Sequence, residues 1–132
     1  MSQKTTAQHG DTITLEEAVA GSLNGKDDLL LSVNANGKAV LFDGTAPAIG
    51  AHAGKLAPDS TAVNVRLLTG GGTVRVVQNV PITPGTRVAG VAANARVAIA
   101  ASPARALGAK LAPPDAGAAG DVIEVIACVE NI

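Results

Sequence analysis

The chain has 132 residues, with ten Lys and Arg against eleven Asp and Glu and a formal net charge of −1. A chain of this length fits one domain that buries about two thirds of its unfolded surface, and its cations are dispersed, with no basic stripe to neutralise phosphates, which argues against nucleic acid as a direct partner. Apolar residues make up 47% but come mostly from Ala and Val, with no Trp, no Tyr and Phe42 as the one aromatic, so the core is predicted to be thin and to gain burial from an oligomer.

Residues 1–12 are polar, small and without periodicity, and they read as a flexible N-terminal arm; residues 13–132 read as a single β-domain. Thr14 and Glu17 offer a capping box for a short helix, but Asp11 to Leu15 alternates, and the strand reading is preferred. Ser22 to Asp28 is a loop. Leu29 to Val33 and Lys38 to Phe42 are strands flanking Asn34-Ala35-Asn36-Gly37, a hairpin connection with a glycine for positive φ. Residues 43–60 read as a loop. Val63, Val65 and Leu67 alternate with Asn64 and Arg66, giving one dry and one wet face.

Thr69-Gly70-Gly71-Gly72-Thr73 then turns the chain into a strand from Val74 to Val80, and Pro81 to Gly85 reverses it again. Thr86 to Val91 and Ala95 to Ala100 are strands. Residues 101–120 read as a loop in which Ser102-Pro103 could start a short helix over Ala104 to Leu111. The last strand, Val122 to Val129, turns Ile123, Val125, Ala127 and Val129 inward. Short strands with Gly/Pro turns predict a mainly β fold, a small antiparallel β-barrel or sandwich.

A pattern recurs along the chain. Asn36 to Leu41, Ile49-Gly50-Ala51, Lys55-Leu56-Ala57-Pro58-Asp59 and Val63-Asn64-Val65 return in the same order as Asn94 to Ile99, Leu107-Gly108-Ala109, Lys110-Leu111-Ala112-Pro113-Pro114-Asp115 and Val122 to Val125. This predicts an internal pseudo-repeat with halves at about 28–80 and 86–129, each covering the other's core.

Candidate chemistry is sparse. His9 and His52 lie in polar or loop stretches without carboxylates at ligand spacing, and they read as solvent-exposed histidines with no metal role. Cys128, the one cysteine, excludes an intramolecular disulfide and has no base beside it, so it reads as a structural thiol. Gly70-Gly71-Gly72 is not followed by the Lys-Ser or Lys-Thr of a phosphate loop and reads as a hairpin tip. Glu16-Glu17 and Asp27-Asp28 are adjacent, so each pair splits to opposite sides of an extended chain and reads as solvated charge. Arg66 and Arg75 read as outward-facing. No catalytic residue, metal ligand or cofactor is assigned, and the reading is of a protein that is not an enzyme. There is no apolar leader stretch at the N-terminus and no run of 18 apolar residues, so no membrane partner is expected, and synthesis in a cytosol is.

The polar arm, Gly10-Asp11-Thr12-Ile13, the Asn36 to Val40 hairpin, the Ile49-Gly50 step and the closing Gly120 to Val125 strand together resemble the head decoration, or capsid cement, proteins of tailed bacteriophages. The resemblance spans nearly the whole chain through pattern rather than through an invariant motif. It implies a virion protein, assembled in the bacterial host cytoplasm, that binds the major capsid protein on the outside of the expanded head as a homotrimer. It also implies that the arm makes the contact, with Ser2, Gln3, Lys4, Thr5, Thr6, Gln8 and His9 as capsid-binding residues, by adding a strand to a sheet edge. The familiar lambda-type members carry aromatic residues that this chain lacks. Two rivals stay open: a surface-displayed adhesion module, for which a single Phe is poor equipment, and a small barrel hydrolase, for which no nucleophile and base are in view.

Overall fold

Alternation decides the first pairing. In Thr12–Glu16 (β1), Ile13 and Leu15 turn inward while Thr12, Thr14 and Glu16 turn out, and the strand lies antiparallel to Ala62–Leu67 (β5) with Ile13 opposite Val65 and Leu15 opposite Val63. The computed structural model describes residue 8, residues 10–102 and residues 106–127. The remaining strands are Leu30–Val33 (β2), Ala39–Leu41 (β3), Gly50–Lys55 (β4), Thr73–Val77 (β6), Arg87–Gly90 (β7), Val97–Ile99 (β8), Gly108–Ala112 (β9) and Val122–Ala127 (β10). They form two five-stranded antiparallel sheets, ordered β1-β5-β4-β2-β3 and β6-β10-β9-β7-β8. The fold is mainly β, without helix among the described residues, and consistent with a sandwich; the strand pairings do not draw a closed barrel.

Adding five to every strand number of the first sheet produces the order of the second. The register repeats as well. Val65 lies between Ile13 and His52, and Val125 lies between Val74 and Lys110. The residue just past the first strand makes an isolated parallel bridge to the third strand in both sheets, Glu17 to Ala39 and Gln78 to Val97. The pseudo-repeat is therefore residues 12–67 followed by 73–127, and its boundary is the triple-glycine turn. The halves expected near 28–80 and 86–129 cut through sheets because β1 pairs with β5 and β6 with β10.

Two strands stand where loops were expected, at the same place in each repeat. Both β4 and β9 lie centrally, between the last strand and the second strand of their sheets. Each opens on a glycine, and a Cβ there would run into a carbonyl across the pair, that of Arg66 for Gly50 and that of Ile126 for Gly108. The close backbone approach, not side-chain propensity, places these strands. The helix expected over 104–111 gives way to β9; residues 103–105 lie outside the described residues.

The buried apolar side chains fall into two clusters. Leu23, Leu31, Ala39, Val63 and Val65 fill the first repeat, and their counterparts Ile82, Val88, Val97, Ile123 and Val125 fill the second. Fully burying each of the larger aliphatics contributes about 1.5–3 kcal/mol. The first repeat's cluster is its own, whereas the second repeat's is covered in part by the first, so the expectation that each half covers the other's core holds in one direction. The second cluster continues across a seam through Leu30 and Ala51 of the first repeat. The seam is tied by the Leu30 amide donating to the Ala95 carbonyl at 2.8 Å and the Val77 amide donating to the Asp28 carbonyl at 3.1 Å. Phe42 fills the space left by Gly90, where a Cβ would come within 2.6 Å of its ring.

Candidate interaction surface

β1 ends its sheet, so its outer backbone groups need partners other than strands. Gln8 supplies them at one position: the Thr14 amide donates to Gln8 Oε1 at 2.8 Å, and Gln8 Nε2 donates to the Thr14 carbonyl at 2.9 Å. The side-chain amide thereby imitates one residue of a neighbouring strand. The Thr14 hydroxyl donates to Asn64 Oδ1 at 3.0 Å on the same face, and farther along the strand Glu16 pairs with Lys38 at 3.6 Å. Of the arm residues expected to contact a capsid, Gln8 is the one described; Ser2, Gln3, Lys4, Thr5, Thr6 and His9 lie outside the described residues, as does Cys128.

Glu16 and Glu17 do point opposite ways, but Glu17 is not solvated. Its side chain is fully buried, and both carboxylate oxygens accept hydrogen bonds from Lys55 Nζ, at 2.9 and 2.8 Å; the Gly21 amide donates to one of them at 2.8 Å. Lys55 also donates to Asn24 Oδ1 at 2.8 Å. The Lys55 hydrogen bond holds the Glu17 carboxyl below the usual carboxylate range, outweighing the upward push of burial.

His52 is buried rather than exposed. The Gly54 amide donates to its Nδ1 at 3.0 Å, which leaves Nε2 to carry the proton and donate to the Leu23 carbonyl at 3.0 Å. In the second repeat, buried Lys110 gives its ammonium protons to the Ile82 carbonyl at 2.7 Å and the Asp115 carbonyl at 2.8 Å. Gln78, the counterpart of Glu17, donates from Nε2 to the Ala116 and Ala118 carbonyls, each at 2.9 Å. These groups spend their hydrogen bonds on tying loops to sheets, which leaves them poorly placed to act as bases or nucleophiles. Among the described residues no three His, Cys, Asp or Glu side chains converge as metal ligands would.

A polar cleft opens where the repeats meet, lined by Asp27, Asp28, His52, Arg66, Arg75 and Glu124 among others. Arg75 reaches outward and pairs with Asp28 at 3.6 Å. Arg66, expected outward too, folds onto the triple-glycine turn, where its guanidinium donates to the carbonyls of Asp11, Leu67 and Gly71. Gly71 and Gly72 adopt φ of +77° and +68°, and a Cβ on Gly70 would collide with Arg66 and Asp11, so the turn wraps the cation closely. Burial raises the Asp28 carboxyl above its ordinary value, with Arg75 opposing.

Exposed apolar side chains were not anticipated. Val19 is 66% exposed, Leu56 61% and Ile99 56%. For Val19 and Ile99 the signal in the sequence lies in comparing repeats. Ile99 takes the place of Leu41, which packs against both clusters, and Val19 takes that of Val80, which packs against the second. No family model, curated protein or solved structure matches this chain.

Proposed function

We propose that the chain is a structural, non-enzymatic virion protein that binds the outside of an expanded tailed-phage head, as a trimer, and clamps neighbouring capsomers through its N-terminal arm. The observation that carries this reading is the seating of Gln8 on the outer edge of β1 at Thr14. Gln8 lies at the outer edge of the sheet, a position from which a polar segment can reach a neighbouring surface and add a strand to it. Many copies on one shell would offset the ordering cost of such an arm through avidity.

The test is co-sedimentation with expanded and unexpanded heads built from the major capsid protein of the same phage. Selective binding to the expanded shell is expected. Absence of binding to either shell would overturn the reading and favour an adhesion module.

A further inference from the structure

The seam between the repeats is head to tail. One face belongs to the first repeat and presents Asp28, Leu30 and Phe42; the other belongs to the second repeat and presents Val77, Gly90 and Ala95. Because the repeats share topology and register, each face has a counterpart elsewhere in the chain. The counterparts of Asp28, Leu30 and Phe42 are Gly85, Arg87 and Ala100: the Gly85 amide donates to the Lys110 carbonyl as that of Asp28 does to His52, and the Ala100 amide donates to the Arg87 carbonyl as that of Phe42 does to Leu30. The counterparts of Val77, Gly90 and Ala95 are Glu16, Val33 and Gly37. An intrachain contact of two unlike faces uses each type of face once and leaves one of each at the chain's two ends.

We propose that a second copy of this chain covers these ends, the groove lined by Gly85, Thr86, Arg87, Ile99 and Ala100 of one molecule receiving the face with Glu16, Val33 and Gly37 of the next. Three features of the surfaces favour it. Ile99, 56% exposed on the open groove, replaces Leu41, which is packed beside the seam. The size relation at the seam is reversed with complementarity kept: Phe42 against Gly90 becomes Ala100 against Val33. Left-handed backbone recurs at matched points, Ala95 (φ 59°) with Gly37 (φ 76°) and Asp28 (φ 65°) with Gly85 (φ 86°), so the carbonyls of Gly37 and Gly85 sit in the backbone setting of those that accept the two seam hydrogen bonds. Arg87, an exposed residue, takes the place of Leu30. A contact of unlike faces either closes into a ring or runs on as a filament; three chains in a ring would present six like seams, three within chains and three between.

This inference names the surfaces behind the trimer proposed above, yet it rests on the repeat geometry, and its test uses no phage heads, so either reading can fail alone. In a Cys128→Ser background, the double variant Val33→Cys/Ala100→Cys is treated with a short bis-maleimide, beside each single variant, and mass is measured by light scattering. The expected result is a mass that is a multiple of the single chain, a covalent ladder from the double variant alone, and a shift to single-chain mass on Ile99→Asp with the circular dichroism spectrum unchanged. A single-chain mass over the whole concentration range, or an oligomer that neither crosslinks through this pair nor responds to Ile99→Asp, would overturn it.

Discussion

His52 and Lys110 occupy the same position in two copies of one sheet. Each sits in the central strand opposite a buried valine, Val65 or Val125, and each donates to the carbonyl of a buried loop aliphatic, Leu23 or Ile82. Different chemistry performs one task, the anchoring of the loop that follows the first strand of the repeat. The shared Lys-Leu-Ala-Pro string aligns Lys110 with Lys55 instead. Each strand carries one extra residue against its partner just past this position, between His52 and Lys55 and between Lys110 and Ala112, so the register keeps His52 with Lys110 and the string sits three residues out of structural alignment.

Removing the Lys110 ammonium should leave buried carbonyls without donors. A hydrogen bond from a charged group is worth about 1.5–3 kcal/mol, so Lys110→Met is expected to lower unfolding free energy by about 3 kcal/mol in urea titrations. A loss below about 0.5 kcal/mol, within the range of a neutral surface change, would show that water replaces the ammonium.

Glu17 makes stability depend on acid. Its folded value lies below the ordinary 4.5, so the contribution is complete above the unfolded value and is lost as pH falls through the folded one. Stability should therefore decline from about pH 5 downward. Glu17→Gln, which copies Gln78 of the other repeat, should be less stable at neutral pH and show a flatter acid limb. Parallel pH profiles of the two proteins would count against the Lys55 pairing as its source.

Gly50 and Gly108 should tolerate no side chain. A Cβ at either meets backbone across a central strand pair, which cannot swing away like a flexible side chain. Gly50→Ala and Gly108→Ala are each expected to cost about 3 kcal/mol or more, measured by thermal unfolding. Gly37→Ala meets no atom within 4 Å and should cost only the left-handed backbone term of about 1–2 kcal/mol.

The arm can be separated from the fold at a defined point. The Asp11 carbonyl accepts the Leu67 amide at 2.8 Å, so deletion through residue 12 would cut into the sheet, whereas deletion of residues 2–7 stops short of Gln8. That truncation is expected to keep the folded spectrum and melting temperature while abolishing sedimentation with expanded heads. Full binding by the truncated protein would remove the arm from the mechanism.

Much of the β framework was legible because alternation leaves a plain trace: Asp11 to Leu15, Val63 to Leu67 and Val122 to Val129 read as strands, and Thr12–Glu16, Ala62–Leu67 and Val122–Ala127 are strands, with residues 128 and 129 outside the described residues. The central strands were not legible. Gly50–Lys55 and Gly108–Ala112 carry glycines and a buried polar residue where apolar periodicity would announce a strand. His52, Glu17 and Lys110 look like surface residues in a string of letters, because the carbonyls and the ammonium that satisfy them come from segments 28 to 38 residues away.

By itself the sequence determined that the chain is β-rich and duplicated, since these follow from composition, short-range periodicity and a pattern that recurs in order. Tertiary structure alone decided where the repeat begins, which charges are buried, and which two faces are left open at the chain's ends. Those depend on strand register, and register is set by contacts between residues distant in the chain, such as Gly50 under the Arg66 carbonyl and Phe42 over Gly90.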